Sequence, residues 1–296
     1  MKPTKYIAFI ILAFGVLIHV SSPMFGETKL IIRFDDIGMC HSVNMAAKKL
    51  IEKGVVFSAS VMFTCPWYKE AVEILKDHPE VGVGIHLTLN SEWKHYKWGP
   101  VLGAEVVPGL VDKDGYFWES EAAFAAANVK LEEVEKELRA QIERARATGL
   151  RIDYIDYHML TAVSTPELRA LVEKLAKENG LGISCYFGEY YQTMWAVPPD
   201  KKLNTLLKML DQLEPGKLNL IVIHLGLENP EMQALVDMNN PDDPDRVSQH
   251  RQAELKALLS RAFKKKIKKK KVKLVTYRDV VSEKGLEAMK RPTEGE

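Results

Sequence analysis

The sequence has few cysteines, no excess of charge of either sign and no long hydrophobic run. Its 296 residues carry 41 Lys and Arg against 40 Asp and Glu, a net charge of +1. That balance argues against a general nucleic-acid binder, which carries a marked basic excess. No stretch reaches the ~20 consecutive apolar residues of an ordinary transmembrane helix. Three cysteines cannot build a disulfide scaffold, and none falls in a Cys-x-x-Cys pair, so a thiolate zinc site is disfavoured. There is no glycine-rich phosphate loop of the dinucleotide or Walker type, and no internal repeat. What is present is 46% hydrophobic residues, a globular composition with ample material for a core.

The first residues read as an address. Lys2 and Lys5 precede an apolar run from Tyr6 to Val20, and Ser21, Ser22, Pro23 and Gly26 supply a small-residue exit. This order predicts a signal peptide over residues 1–26 and a single domain over residues 27–296. The expected location is periplasmic or extracellular, with no stable membrane insertion after cleavage. An uncleaved anchor is the alternative, though the run is short for a bilayer core. Export would permit a disulfide among Cys40, Cys65 and Cys185, but buried free thiols are the ordinary expectation.

From Lys29 onward, strand-like and helix-like segments alternate. Seven β-rich runs stand at 30–34, 57–63, 81–89, 152–157, 182–186, 218–225 and 272–277. Amphipathic helical patterns cover about 43–53, 68–76, 131–148, 166–178, 200–213 and 249–266. Ser42 and Thr165-Pro166 look like helix starts, and Gly54, Gly149 and Gly180 like helix ends. The alternation predicts an α/β fold, a distorted (β/α) barrel of about seven parallel strands, with an open doubly wound sheet as the alternative. Two long insertions, 90–119 and 226–247, have the size of lids or binding loops. The run KKKIKKKK at 264–271 reads as a solvated helix end.

Four strand ends carry residues that metal chemistry uses. They are Asp35-Asp36, His86, Asp156-Tyr157-His158 and His224. Parallel α/β folds collect their sites at the carboxyl ends of strands. Taken singly, each residue has an ordinary explanation: a turn, a helix cap or a satisfied core histidine. Together they matter more, because two adjacent carboxylates repel each other and a cation offsets that. A carboxylate with two imidazoles is a common catalytic metal set. Cys40 reads mainly as structural.

Phe34-Asp35-Asp36-Ile37-Gly38, GVGIHLTL around His86 and IDYH ending at His158 resemble the YdjC/ChbG-like carbohydrate deacetylase family. The stretches 65–75, 90–103 and 132–150 resemble a secreted branch of it. The resemblance covers most of 29–186 and thins beyond. It implies a barrel related to polysaccharide deacetylases and a metal-dependent hydrolase that removes N-acetyl groups from a sugar or oligosaccharide. It implies one divalent ion, Mg2+ or Zn2+, on Asp36, His86 and His158, with Asp35 as base. His224 resembles the late histidine of related deacetylases and is assigned as the acid, facing Asp35 across the substrate and touching no metal; Asp156 is assigned to orient His158.

The chain departs from that pattern in two places. Leu160 and Ala162 stand where the family has histidines, and His224 lies in IHLGLEN rather than before Pro-Gly. Two other readings stay open: a metal hydrolase of another amide or ester, and a catalytically silent carbohydrate-binding barrel. A homodimer is also left open.

Overall fold

In the computed structural model, which describes residues 27–292, the strands form wherever β-branched and aromatic residues cluster, and helices fill the intervals. In chain order the elements are β1 (Lys29–Ile37), α1 (His41–Glu52), β2 (Ser58–Val61), α2 (Tyr68–Lys76), β3 (Gly82–Leu87), α3 (Glu121–Ala126), α4 (Leu131–Ala147), β4 (Tyr154–Tyr157), α5 (Pro166–Asn179) and β5 (Gly182–Ile183). They continue with β6 (Glu189–Thr193), α6 (Lys202–Asp211), β7 (Leu218–Ile223), α7 (Pro230–Gln233), α8 (Val247–Leu259), α9 (Arg261–Lys270), β8 (Lys273–Val275) and α10 (Tyr277–Lys284).

All strand pairs are parallel, in the order β5-β4-β3-β2-β1-β7-β6. The strand β8 pairs with the first residues of β1, and β2 with its last. The result is the expected α/β barrel, opened along one seam. No ladder is formed between β5 and β6. There Glu189 accepts hydrogen bonds from the backbone N–H groups of Cys185 (2.9 Å) and Phe187 (2.7 Å) and from the Tyr277 hydroxyl (2.9 Å). One carboxylate thus satisfies backbone donors that would otherwise be orphaned at the seam.

Helix ends follow the sequence in part. Thr165 caps α5 by accepting from the Leu168 N–H at 3.2 Å, and Gly180 closes it in left-handed geometry (φ 63°). Ser42 is not a cap: α1 begins after Cys40, and the Ser42 hydroxyl is spent on Asn229 and Glu231. The single helix expected over 249–266 is two, because Ser260 turns extended (ψ 150°) and caps α9 through the Phe263 N–H. The elements β6, α3, α7 and α10 were absent from the sequence pattern.

The two long insertions act as one cover. Trp93 bridges to Asp237, the Lys94 N–H donates to the Val236 carbonyl at 3.0 Å, and Asn239 donates to the Glu119 carbonyl at 2.7 Å. Trp93 and Trp98 are buried within that cover, whereas Trp195 is exposed at the cavity. Cys40, Cys65 and Cys185 are free thiols. Among the described residues, no helix is long and apolar enough to cross a membrane. The leader expected over residues 1–26 lies outside the described residues.

Candidate metal centre and active site

Side chains alternate between the two faces of a strand, so Asp35 and Asp36 would ordinarily point apart. Here the register of β1 against β2 shifts between Phe34 and Ile37, and Asp36 takes a left-handed backbone (φ 66°). The bulge turns both carboxylates into one cavity of about 730 Å³. A turn follows, closed by the Met39 N–H on the Asp36 carbonyl (3.0 Å) and by the Gly38 N–H on Asn44 Oδ1 (2.8 Å).

Asp36, His86 and His158 come together, each fully buried. Asp36 Oδ1 lies 3.4 Å from His86 Nε2 and 3.3 Å from His158 Nδ1. The other edge of each imidazole meets a carboxylate: His86 Nδ1 is 3.1 Å from Asp156 Oδ1, and His158 Nε2 is 2.9 Å from Glu92 Oε2. A ring that gives its N–H to the outer carboxylate turns a lone pair toward Asp36 Oδ1. Two lone pairs and a carboxylate oxygen then converge on one point, and Asp36 Oδ1 has no hydrogen-bond donor. Both the donor set and the orphaned oxygen fit a divalent cation. Asp156 therefore serves His86 and not His158; Glu92 takes the place expected for Asp156. Sequence reasoning missed Glu92, because its loop carries no periodic signal.

Two arginines complete the site, and neither was foreseen. Arg33 lies two residues before Asp35 on β1, hence on the same face. Its Nε and Nη2 each donate to Asp35 at 2.7 Å, its Nε also lies 2.9 Å from Asp156, and its Nη1 donates to the Ser184 hydroxyl at 2.7 Å. Arg251, from α8, donates to Asp36 Oδ2 at 2.6 Å and stacks near the rings of Trp93 and Trp195. Alternation in β1 could have revealed Arg33. Arg251 lies over 200 residues from Asp36, beyond any local signal.

Asp35, His86 and Asp156 also sit close enough to share an ion. Arg33 already supplies the positive charge there. The six charged groups in contact are Asp35, Asp36, Glu92 and Asp156 against Arg33 and Arg251, a balance of −2 with neutral imidazoles. One divalent ion neutralises it.

Electrostatics follow from this packing. Burial works against a charged Asp36, but Arg251, His158 and His86 outweigh it and hold the carboxyl well below the usual range. Burial also disfavours the His86 imidazolium, yet Asp156 and Asp35 push its pKa up to about 10. For His158, Glu92 and Asp36 overcome burial in the same way and raise it to about 9.

His224 follows the last residue of β7 and belongs to neither cation group. It does not face Asp35 across a substrate-sized gap: its Nε2 is 3.9 Å from Asp35 Oδ2. Its backbone N–H donates to Glu254 at 2.8 Å, and buried Lys202 binds Glu254 (2.7 Å) and the Met194 carbonyl (2.7 Å), tying the Trp195 loop to the backbone of His224. Burial lowers its pKa to about 4, despite Asp36 and Asp35 nearby.

A family model described as YdjC-like protein matches residues 29–269. A carbohydrate deacetylase of Brevibacillus brevis is 37% identical over 150 residues, which are 51% of this chain and 56% of that protein. One from Enterococcus faecalis is 35% identical over 154 residues, 52% of this chain and 56% of that protein. The chain spans about half the length of the curated relatives it matches. Among solved structures, an Enterococcus faecalis V583 protein provisionally assigned to cellobiose-phosphate cleavage aligns with a TM-score of 0.70 and 26% identity, over 86% of this chain and 99% of that one. The Xyl-CE4 domain of a multidomain xylanase from the hindgut metagenome of Trinervitermes trinervoides aligns at 0.50 with 9% identity, over 88% of this chain and 92% of that one, a likeness of fold. The match over 29–269, together with the strand-end residues that fall within it, makes this chain a member of the YdjC-like family.

Proposed function

We propose that the protein is a metal-dependent carbohydrate deacetylase that hydrolyses an N-acetyl group on a sugar. The observation that carries this reading is the unpartnered Asp36 Oδ1 between two imidazole nitrogens, beside a second carboxylate that the chain's own arginine holds in place. Carbohydrate deacetylases among the relatives support it. Asp36, His86 and His158 would hold one divalent ion, which supplies Lewis acidity toward the amide carbonyl.

The chain's own groups handle the proton. Arg33 grips both oxygens of Asp35 and keeps the carboxylate aimed into the cavity. Asp35 accepts the proton of the attacking water. Burial keeps His224 uncharged, and its Nε2 lies 3.9 Å from Asp35 Oδ2, so a water or substrate atom between them would carry the proton across. Once protonated, His224 would serve as the acid for the poorly leaving amine. The leader-like order of residues in 1–26 favours action outside the cytoplasm, and N-terminal sequencing of exported protein tests that directly.

The deciding experiment is acetate release from a panel of N-acetylated sugars, with metal-stripped protein and with Zn2+, Mn2+ or Mg2+ restored. Metal-dependent acetate release is expected. Sugar binding without acetate release from any amide or ester would replace the enzyme with a silent binding barrel.

A further inference from the structure

The chain leaves His158 through two successive left-handed residues, Met159 (φ 50°, ψ 23°) and Leu160 (φ 61°, ψ −1°). Glycine and asparagine take this conformation cheaply; a branched or long side chain does not. Burial does not offset the strain at Leu160, because its side chain is 63% exposed. A turn alone would be better served by Gly or Asn. Leucine here stands mostly outside the fold, and both Met159 and Leu160 line the cavity that holds the candidate metal centre. Strain kept at a site's mouth, with an apolar group presented to solvent, marks a contact made with something that binds there.

The rest of the wall indicates what binds. Tyr191 and Trp195 are also exposed along it, so the cavity offers several apolar surfaces to a ligand. Opposite in character, Asn239, Asn240 and His250 add polar groups. Among the charged lining residues five carboxylates face three arginines, and Asp156 behind Arg33 adds a sixth, so even one divalent ion leaves no net positive charge. Such a wall has no surplus positive charge for an anionic ligand. A sugar ring has an apolar face and a rim of hydroxyls, and it matches both kinds of surface.

Building on the deacetylase reading above, we propose that Leu160, with Met159, is the specificity-determining platform for the apolar face of a sugar ring. The substrate class is then an uncharged N-acetylated oligosaccharide. The test compares the full-length wild type with Leu160→Gly and Leu160→Asn, both at ease in left-handed backbone. Acetate release from N-acetylated gluco-oligosaccharides, neutral and 6-phosphorylated, gives KM and kcat. Calorimetric titration of the same sugars into metal-stripped protein gives binding without catalysis.

Both variants are expected to raise KM and weaken binding roughly tenfold, the order set by one lost leucine contact. Their kcat should hold, and their melting temperature should not fall, since strain is relieved. Unchanged affinity, a lower melting temperature in both variants, a wild-type preference for the phosphorylated sugars or no binding of any neutral sugar would each overturn the platform. If the wild type binds neutral sugars but releases no acetate, and both variants bind more weakly, the platform stands and the deacetylase reading falls.

Discussion

Two corners of the cavity, a few ångströms apart, solve the same problem differently. At one, Asp35 and Asp156 share the guanidinium of Arg33, a cation the chain carries itself. At the other, Arg251 covers one oxygen of Asp36 and leaves the second bare between His86 and His158. The first corner is closed by a guanidinium that reaches both carboxylates, and it is directional, which suits a base that must stay ionised and aimed. The second leaves one carboxylate oxygen without a donor between two imidazoles, which suits an exchangeable ion. In the proposed reading, a pair of neighbouring aspartates divides into base and ligand by the arginine each one meets.

The largest effect should come from emptying the open corner. Asp36→Asn keeps a residue that tolerates the left-handed backbone but removes the charge. It should abolish tight metal binding and lower acetate release by about 10³-fold or more, measured by metal analysis after dialysis and by turnover. Asp35→Asn should retain stoichiometric metal and lose about 10²–10⁴-fold in turnover. Equal metal loss in the two variants would dissolve the division between the corners.

Arg33→Met tests the closed corner. It strands two buried carboxylates, so unfolding in denaturant should show a loss of roughly 3–5 kcal/mol. With its guanidinium gone, Asp35 loses both hydrogen bonds that aim it, so turnover should fall while metal stoichiometry stays at one. Unchanged turnover would mean that Arg33 does not aim Asp35.

The smallest effect is a pH dependence. In metal-stripped protein His86 and His158 hold protons with pKa values raised to about 10 and about 9. Raised imidazole pKa values favour the folded state fully below the unfolded value of about 6.5 and lose that contribution as pH climbs through the folded values. Thermal melts of the stripped protein should therefore fall between about pH 6.5 and 10, and added Zn2+ should flatten the decline. A stripped protein whose melting point rises over that window would show that the rings are not proton-loaded.

Much of this was readable before the structure. Strand-end placement singled out Asp35, Asp36, His86 and His158, because alternating strands and helices bring their carboxyl ends to one rim whatever the exact barrel. Glu92 and Arg251 were not readable. Each reaches the site through tertiary packing of a loop or a distant helix, and neither has a local pattern. Asp156 was identified as an orienting group but given the wrong imidazole, because register between β3 and β4, which sets Asp156 beside His86, is not written in either segment alone. β6 escaped because EYYQT is largely solvent-facing and lies at the seam. Ser260 broke an apparently continuous helix through a single extended residue, which propensity cannot anticipate.

The strand order has a consequence for synthesis. β1 lies inside the sheet, with β2 on one edge and β7 along the other. About 180 residues separate β1 from β7, and at ribosomal speeds of about 5–20 residues per second that is a wait of roughly 10–40 s. Through that interval an apolar strand edge has no partner of its own chain. Until β7 arrives, by synthesis or by passage across a membrane, the chain is a natural client for holding chaperones.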